Sequence, residues 1–360
     1  MGLAAVAGTA TFCSPVFVVR AGVEQARLLK ARQPIDEVLA DPTTSPETRS
    51  KLELVRMAAT YADRELGLNV ADSYTMFTEL GRDTLLLVVT AARQDAFEAH
   101  TWWFPIVGRV PYKGFFNPDH ARAEAARLEA RGLDTHLRPA GAFSTLGWFN
   151  DPLLSTLLSR DDISLASTVI HELTHNTIFI PGQVAFNESF ANFVGDVGAA
   201  EMFCAVEGED GPRCQAARSA WDDAMLFGTT LQQLVGRLET LYDRDDLTSE
   251  EKIAARELVI DRWREDYARD VAPRLQRVFR NYHERPINNA TLIGSRLYYD
   301  RLDMFDRVYR AMGLPLRDAV HAMIEAAEAS SDDPFGAVEQ LAPDAAAPII
   351  RAPVSDTAER

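Results

Sequence analysis

The amino-acid sequence predicts an α+β fold, with a mixed sheet beside a central helix and a mainly helical C-terminal half. Two observations lead to this prediction. Apolar and β-branched runs dominate residues 73–149, which is typical of strands. After residue 160, apolar side chains recur every three or four residues, which indicates helices that bury one face. With 360 residues, the chain is long enough for one large or two modest domains.

The first half is predicted to combine helices with strands. Ser45 is a good N-cap, and Pro46 a good first residue, for a helix whose apolar stripe continues to Leu66. The continuous apolar run Thr84–Thr90 indicates a buried strand. The other elements predicted here are helices over Arg20–Arg32 and Pro118–Arg131, strands over Trp102–Val107, Gly132–Pro139 and Ala142–Phe149, and a turn-rich return over Gly108–Gly114.

The second half is predicted to be almost entirely helical. Asp161 or Asp162 caps a helix that ends before Pro181, and Asn187 is predicted to cap the next one. Three later helical stretches are predicted over Gln215–Tyr242, from the cap at Thr248 or Ser249 to about Tyr282 with a kink at Pro273, and over Leu302–Ala327. From residue 330 the composition turns to Ser, Asp, Pro and Ala, which predicts a mobile tail.

The N-terminal segment differs from the rest of the chain. Residues 1–19 carry no charge and are rich in small apolar side chains, which predicts an export signal or anchor. We therefore expect a protein of the cell envelope or periplasm, and a cytoplasmic one if this segment is not a signal. Cys13 is a candidate for lipidation. Residues 20–329 form the main unit, with an α/β part at 20–160 and the helical part at 161–329, and residues 330–360 form the tail.

The net charge limits the class of binding partner, and the cysteine spacing limits the kind of metal site. A net charge of −16 argues against nucleic acid or an anionic membrane surface as the main partner. Membrane association is expected only through the N-terminal segment, because no other stretch is long and apolar enough to span a bilayer. No cysteine pair has C-x-x-C spacing, which excludes a zinc finger. Cys204 and Cys214 flank a turn-rich loop, and a disulfide or two separate thiols both fit.

The stretch His171-Glu172-Leu-Thr-His175 carries the chemistry. On a helix, the two histidines lie one turn apart on one face, where both imidazoles can reach one metal ion. Glu172 lies beside the first histidine, toward the open side of the metal, where a general base is needed. Glu188 follows thirteen residues after His175, across a Pro-Gly turn, and is the candidate third ligand. The small Ala191 would let the two helices approach closely. We therefore expect zinc with three protein ligands and one open position.

Four segments, in this order, resemble the bacterial family of predicted aminopeptidases. They are Trp103-Phe-Pro-Ile-Val-Gly with Tyr112-Lys-Gly114, Phe143-Ser-Thr-Leu-Gly-Trp-Phe-Asn-Asp-Pro152, His171-Glu-Leu-Thr-His175 with Phe186-Asn-Glu-Ser-Phe-Ala191, and Ile287-Asn-Asn-Ala290 with Tyr298. The stretch Gln33–Pro42 fits as well, so the resemblance extends over about residues 20–325. It implies a zincin-like fold of the gluzincin type, zinc as cofactor and peptides as substrates.

The resemblance also implies roles outside the motif. Tyr298 is the expected donor to the oxyanion of the reaction, with its neighbour Tyr299 as the alternative. Phe143–Phe149 is expected to be an edge strand that a substrate peptide joins by β-addition. Within the helix that follows the motif, Asn192 or Asp196 lies on roughly the face of Glu188, and either is a candidate to orient a ligand histidine.

Two alternatives to an aminopeptidase remain open. No acidic residue can be assigned to binding the substrate amine, so an endopeptidase or another amide hydrolase fits the same motif. Outside the enzymes, a metal-stabilised binding protein that is catalytically silent also fits, although such a protein has no need of Glu172. Substrate length, side-chain preference and oligomeric state are not predicted.

Overall fold

The structure is a computed structural model of the chain. It describes residues 30–81, 84–104, 108–140 and 152–343. These residues form mixed α and β structure in which helix predominates, as predicted. Three predictions lie outside the described residues: the N-terminal segment with Cys13, most of the helix Arg20–Arg32, and the edge strand Phe143–Phe149. In the part that the structure describes, no helix has the length and apolar character needed to cross a bilayer.

The two longest helices of the described residues, Val184–Glu207 and Pro212–Tyr242, follow each other in the second half of the chain. The helices are α1 (Ile35–Ala40), α2 (Pro46–Arg64), α3 (Pro118–Glu129), α4 (Ser155–Leu158), α5 (Asp162–Thr177), α6 (Val184–Glu207), α7 (Pro212–Tyr242), α8 (Ser249–Asp266), α9 (Asn289–Tyr299), α10 (Leu302–Met312), α11 (Leu316–Ala329) and α12 (Pro334–Glu339). Local capping starts several of them as predicted. The Ser45 hydroxyl accepts the backbone N–H of Thr48, and Thr248 forms a capping box with Glu251.

The strands are short and form three small sheets among the described residues. They are β1 (Gln33–Pro34), β2 (Met76–Thr78), β3 (Leu86–Arg93), β4 (Trp102–Phe104), β5 (Gly108–Val110), β6 (Tyr112–Phe115), β7 (Leu133–Ala140) and β8 (Leu153–Leu154). In the sheet β6-β3-β7, β3 pairs antiparallel with both neighbours, and α3 packs against β3 and β7. The sheet β1-β2-β8 is mixed, because β1 runs antiparallel to β2 and β8 parallel to it.

Helices α5 and α6 form the centre of the fold. Helix α5 packs against α2 and α6, and α6 is surrounded by α5, α7, α9 and α10. Nearly every face of α6 is apolar, which is typical of a helix enclosed by others. The main apolar core includes Phe77 of β2 and Leu153 of β8 together with the buried face of α5. This arrangement places the H-E-x-x-H motif in the interior of the fold.

The start of α6 differs from the prediction. The helix begins at Val184, so Asn187 is inside the helix and is not its N-cap. The buried side chain of Asn187 instead accepts the N–H of Ile180 and donates to the carbonyl of Ile180, at 2.9 Å each. These two bonds fold the loop between α5 and α6 back onto α6. Glu188 therefore lies in the second turn of the helix, where its side chain has a fixed direction.

The helix predicted from Ser249 to Tyr282 is too long. Helix α8 ends at Asp266 and continues only as a π-helical stretch, Tyr267–Val271, and a short 3-10 turn, Ala272–Arg274. Pro273 removes a backbone donor there. The buried carboxylate of Asp223 then accepts the backbone N–H groups of residues 276, 277 and 278, which replaces the helical hydrogen bonds. The chain is therefore held as a loop after Asp266.

Three other segments correct the sequence prediction. The return at Gly108–Gly114 contains the strands β5 and β6. Helix α9 was not predicted from the sequence. The tail predicted from residue 330 begins with α12, whose Val338 is fully buried in the main core, so the prediction of a mobile segment fails for Pro334–Glu339. The division of the chain into units stays a prediction.

The loop between α6 and α7 is closed by a disulfide. Cys204 lies in the last turn of α6 and Cys214 in the first turn of α7, and their sulfurs are bonded to each other. Of the two arrangements that the sequence left open, the structure has the disulfide. The bond fixes the angle at which these two long helices meet.

Candidate metal centre

The site begins with α5, which presents two histidines on one face. The carboxylate of Asp161 caps this helix by accepting the N–H groups of Ile163 and Ser164, at 3.1 and 3.2 Å. Its apolar face is buried in the main core through Ile163, Leu165, Ala166, Val169, Ile170 and Leu173. Because that face is fixed in the core, the ring of His171 is buried and that of His175 lies one turn further along, half-buried.

Helix α6 adds a carboxylate to the two imidazoles. Nε2 of His171 and Nε2 of His175 face each other at 3.1 Å. The Glu188 carboxylate approaches both rings, with Oε2 at 3.5 Å from His171 Nε2 and Oε1 at 3.7 Å from His175 Nε2. We call His171, His175 and Glu188 the triad. The structure thus brings together the three residues that the sequence analysis proposed as ligands.

The triad has the dimensions of a metal site. The ligand atoms of a tetrahedral zinc centre, with bonds near 2.1 Å, lie about 3.4 Å from one another. The two imidazole nitrogens are 3.1 Å apart, and the carboxylate places Oε2 at 3.5 Å from the first and Oε1 at 3.7 Å from the second, so each separation is near this value. The donor set of two imidazole nitrogens and one carboxylate is also one that zinc accepts. The group could therefore hold a metal ion without rearrangement of either helix.

Close packing of α5 and α6 depends on a glycine that the sequence analysis did not identify. A Cβ at Gly195 would lie 2.7 Å from the carbonyl oxygen of Ser167 and 3.2 Å from Cβ of His171. Any side chain there would push α6 away from the histidines. Ala191, the small residue predicted to serve this purpose, is fully buried. The glycine one turn further along makes the closer approach.

Negative charge surrounds the two histidines. Burial disfavours the charged form of His171, but Glu188, Glu172 and Asp196 outweigh burial and raise the pKa of His171. Burial would raise the pKa of Glu188, yet hydrogen bonds with His171 and His175 hold it well below its usual range. Burial raises the pKa of Asp196. Carboxyl groups on several sides of two imidazoles make this a place that attracts a cation.

Asn192 and Asp196 do not bond to a ligand histidine in the described residues. The Asp196 carboxylate accepts a hydrogen bond from the Ser167 hydroxyl, one turn before His171, and acts on His171 only through its charge. The Asn192 amide points the other way and donates to the backbone carbonyl of Tyr298, at 2.6 Å. Asn192 therefore fastens α9 to α6, which the sequence analysis did not predict.

Tyr298 and Tyr299, consecutive residues at the end of α9, have different neighbours. The Tyr298 ring stacks toward His171, with ring centroids 6.3 Å apart. The Tyr299 ring packs against Phe227 and Phe279, at 5.1 and 5.2 Å, inside the apolar core. Burial, followed by the charge of Glu188, raises the pKa of Tyr298 to about 12. Of the two candidates, Tyr298 is therefore the one beside the triad, and its phenol keeps its proton at neutral pH.

Helix α9 is fastened at its start to the sheet. The Asn288 side chain caps α9 by accepting the N–H of Thr291 and donates to the carbonyl of Thr135 on β7, at 3.0 Å. The fully buried Asn289 donates to the carbonyls of residues 93, 94 and 96, at 2.8–3.3 Å, and accepts from the Tyr242 hydroxyl at 2.8 Å. These contacts explain why two asparagines precede this helix.

Helix α9 is also fastened at its end, to α6. The Ser189 hydroxyl donates to the carbonyl of Leu297 at 3.2 Å, and Asn192 donates to that of Tyr298. Both donors lie within one turn or so of Glu188. We call Asn288, Asn289, Ser189 and Asn192 the α9 clamp. Because the clamp binds the sheet at one end and α6 at the other, it fixes the position of Tyr298 relative to the triad.

Two residues beside the triad were not assigned a role from the sequence. Arg138, on β7, donates from Nη2 to the Tyr298 hydroxyl at 3.1 Å, and its guanidinium lies 5.4 Å from the centre of that ring. Tyr112, on β6, is exposed, and its pKa is raised by burial of the hydroxyl and by the charge of Glu188. Neither residue belongs to a metal motif, so only their position beside α9 and α6 reveals them.

Glu172 lies beside these groups on α5. Its side chain is half-buried, and its charge acts on both His171 and Tyr298. The predicted edge strand Phe143–Phe149 lies outside the described residues, so its pairing with substrate stays a prediction. The described site thus contains a triad, a carboxylate next to its first histidine, and a tyrosine with an arginine on the opposite side.

Comparison with known protein families gives a match that spans the site. The family described as "Putative aminopeptidase" matches residues 16–334, which covers most of the chain and the whole of the site. Neither the curated proteins nor the solved structures contained a match to the chain. Since the family match extends over well more than half of the sequence, the chain belongs to the family described as "Putative aminopeptidase".

Proposed function

We propose that this protein is a zinc-dependent peptidase, and more narrowly an aminopeptidase that acts on short peptides. The observation that carries the proposal is the convergence of His171 Nε2, His175 Nε2 and the Glu188 carboxylate, all within 4.8 Å of one another, beside Glu172. Membership of the aminopeptidase family supports the peptidase reaction and the removal of N-terminal residues.

Zinc suits this site better than the other common divalent ions. Two imidazoles and one carboxylate favour zinc over magnesium and calcium, which prefer oxygen ligands only. Three protein ligands leave a fourth position open, as catalytic zinc sites require. When bound, zinc supplies Lewis acidity, which polarises a carbonyl group and makes water acidic enough to attack at neutral pH.

Glu172 is the proposed general base. It precedes Leu173 on α5 and is half-buried, with its charge felt by His171 on one side and by Tyr298 on the other. A carboxylate in this place can accept a proton from the attacking water and deliver it to the leaving amine. A site that served only to stabilise the fold would have no use for it. Its position therefore favours an enzyme over a silent binding protein.

Tyr298 is the proposed oxyanion donor. Its phenol remains protonated at neutral pH because burial and Glu188 raise its pKa to about 12. A fixed donor helps catalysis more than a mobile one, because it costs no reorganisation when charge develops on the substrate oxygen. The α9 clamp supplies this rigidity through hydrogen bonds at both ends of the helix.

The disulfide supports a location outside the cytoplasm. Disulfides persist in oxidising compartments and are rare where thiols are kept reduced. The bond between Cys204 and Cys214 therefore favours the cell envelope or periplasm over the cytoplasm. Peptides supplied to that compartment would be the substrates.

A peptide digest tests the proposed function. The full chain, loaded with zinc, is incubated with a library of short peptides, and the products are read by mass spectrometry beside a chelator-treated sample. We expect single residues to be removed from the N-terminus, and only by the zinc-loaded protein. Internal cleavage would make the protein an endopeptidase. If chelation had no effect on cleavage, zinc dependence would be wrong.

A further inference from the structure

Arg138 is a cation beside the triad whose hydrogen-bonding capacity is mostly unused among the described residues. It lies near the end of β7 and is half-buried. Its one hydrogen bond there runs from Nη2 to the Tyr298 hydroxyl, at 3.1 Å. A guanidinium has five N–H donors. The remaining donors have no hydrogen-bond partner in the part of the chain that the structure describes.

No carboxylate of the described residues lies within 4.0 Å of the Arg138 guanidinium. Two other sheltered arginines differ in this respect: Arg256 pairs with Asp134 at 2.7 Å, and Arg307 pairs with Glu339 at 2.8 Å. The chain has 53 acidic and only 37 basic residues, so an arginine without an acidic partner is not explained by a shortage of carboxylates. Half-burial of an uncompensated charge is costly unless a ligand compensates it.

We propose that Arg138 binds a carboxylate of the substrate, so that the preferred substrates are dipeptides and tripeptides with a free C-terminus. This inference rests on the proposed peptidase function. The planar fork of a guanidinium matches the two oxygens of a carboxylate, which an ammonium does not. The arginine would thus select short peptides by the charge at their end.

The distance from Tyr298 sets the length of the peptide. A carboxylate oxygen bound to Arg138 lies about 2.9 Å from a guanidinium nitrogen. If that nitrogen is Nη2, which lies 3.1 Å from the Tyr298 hydroxyl, the carboxylate oxygen lies at most about 6 Å from the oxyanion donor. An extended peptide covers about 3.3–3.6 Å per residue. The carboxylate therefore belongs to the first or second residue after the bond that is cut.

The test measures binding, so that it does not depend on turnover. Calorimetry compares Leu-Ala, its C-terminal amide Leu-Ala-NH₂, and Leu-Asp-NH₂, whose only carboxylate is on a side chain. The protein is the full chain carrying Glu172→Gln, both zinc-loaded and after chelation. The same titrations are made after adding Arg138→Gln, Arg138→Lys or, as the control, Arg122→Gln, which changes an exposed arginine of α3.

We expect Leu-Ala to bind about tenfold more tightly than Leu-Ala-NH₂, a preference typical of a charge-assisted hydrogen bond. Arg138→Gln should abolish this preference, Arg138→Lys should keep part of it, and Arg122→Gln should leave it unchanged. Leu-Asp-NH₂ should bind no more tightly than Leu-Ala-NH₂, and binding as tight as that of Leu-Ala would overturn the preference for a free C-terminus. Melting temperatures confirm that each variant is folded.

Equal affinity for the free acid and the amide in the parent protein would overturn the proposal, whether or not the variants fold. A preference that survives Arg138→Gln would overturn it as well. Failure of the peptidase function would look different. The Glu172→Gln chain would still bind the free acid preferentially, but the unsubstituted chain would cleave none of the peptides. The two failures are therefore distinguishable.

Discussion

The two sides of the site are held in different ways. The triad comes from α5 and α6, which follow each other in the chain, and its geometry is set by helical periodicity and by the close approach at Gly195. The opposite side consists of Arg138 and Tyr298, which are 160 residues apart and are brought together by the α9 clamp. Local structure thus determines the geometry of the triad, whereas long-range hydrogen bonds determine the positions of Arg138 and Tyr298.

This difference predicts that the two sides can be damaged separately. Changes in the triad should remove the metal and with it all activity. Changes on the α9 side should slow the reaction while the metal stays bound. If substitutions on the α9 side removed the metal as substitutions in the triad do, the comparison would be wrong.

The largest effect is expected from His175→Ala, which removes one of the two ligand imidazoles. Loss of residues that merely support a ligand costs about 10–100-fold in metal affinity, so loss of a ligand should cost at least as much. We expect zinc in the purified protein to fall to near zero and cleavage to become undetectable. Metal analysis by mass spectrometry checks this result. His120→Ala, which changes an exposed histidine of α3, is the matched control and should retain full zinc.

A smaller effect is expected from Tyr298→Phe, which removes only the phenol oxygen. Loss of one oxyanion donor typically lowers kcat by about 10²–10³-fold. Zinc content and KM should change little, because Tyr298 is outside the triad. Tyr299→Phe is the control, since that ring packs against Phe227 and Phe279 in the core. If both substitutions lowered kcat equally, the assignment of Tyr298 as donor would be wrong.

Asn289→Ala tests the clamp. The substitution leaves the buried Tyr242 hydroxyl and the carbonyls at the end of β3 without their partner. We expect the free energy of unfolding to fall by about 2–4 kcal/mol, as for several lost buried hydrogen bonds. Because α9 carries Tyr298, kcat should fall as well, by less than in Tyr298→Phe. Denaturant titration measures the free energy of unfolding, steady-state kinetics measure kcat, and zinc is analysed in the same samples. Asn281→Ala, which changes an exposed asparagine, is the control. If the folded variant lost zinc, the triad and the α9 side could not be damaged separately, which would contradict the comparison.

The smallest effect on activity is expected from the double substitution Cys204→Ser and Cys214→Ser. Cys204 lies at the far end of α6, about 24 Å along the helix from Glu188, and Cys214 lies at the start of α7. Opening the loop should lower the free energy of unfolding by about 2–4 kcal/mol. Below the melting transition, kcat and zinc content should match the parent chain. A large drop in kcat at low temperature would show that the disulfide positions Glu188.

The same division explains what the sequence could predict. The two histidines could be placed together from the sequence because H-E-x-x-H spacing on a helix puts both on one face, and the caps at Ser45 and Asp161 depend on neighbours within three residues. Asn187 was misread as a cap because its side chain turns back to Ile180, seven residues away. The residues that follow Asn187 give no sign that its side chain bonds back to Ile180.

The α9 side could be predicted only in part. The segment Ile287–Ala290 and Tyr298 stood out through family resemblance, but the helix between them was missed. Its stability comes from contacts with β3, β7 and α6, which lie far away in the sequence. Arg138 could not be recognised at all, because a single arginine at the end of a strand has no pattern of its own. Only its hydrogen bond with Tyr298 reveals it.

Glu172→Gln tests the central claim most directly, namely that this triad holds a hydrolytic metal. The substitution keeps the size of the side chain and leaves the three ligands intact, but it removes the base. Zinc content and kcat are measured on the same preparation. We expect one zinc per chain, as in the parent protein, and a kcat lower by about 10²–10⁴-fold, the usual contribution of a general base. Full activity with zinc bound would contradict the account.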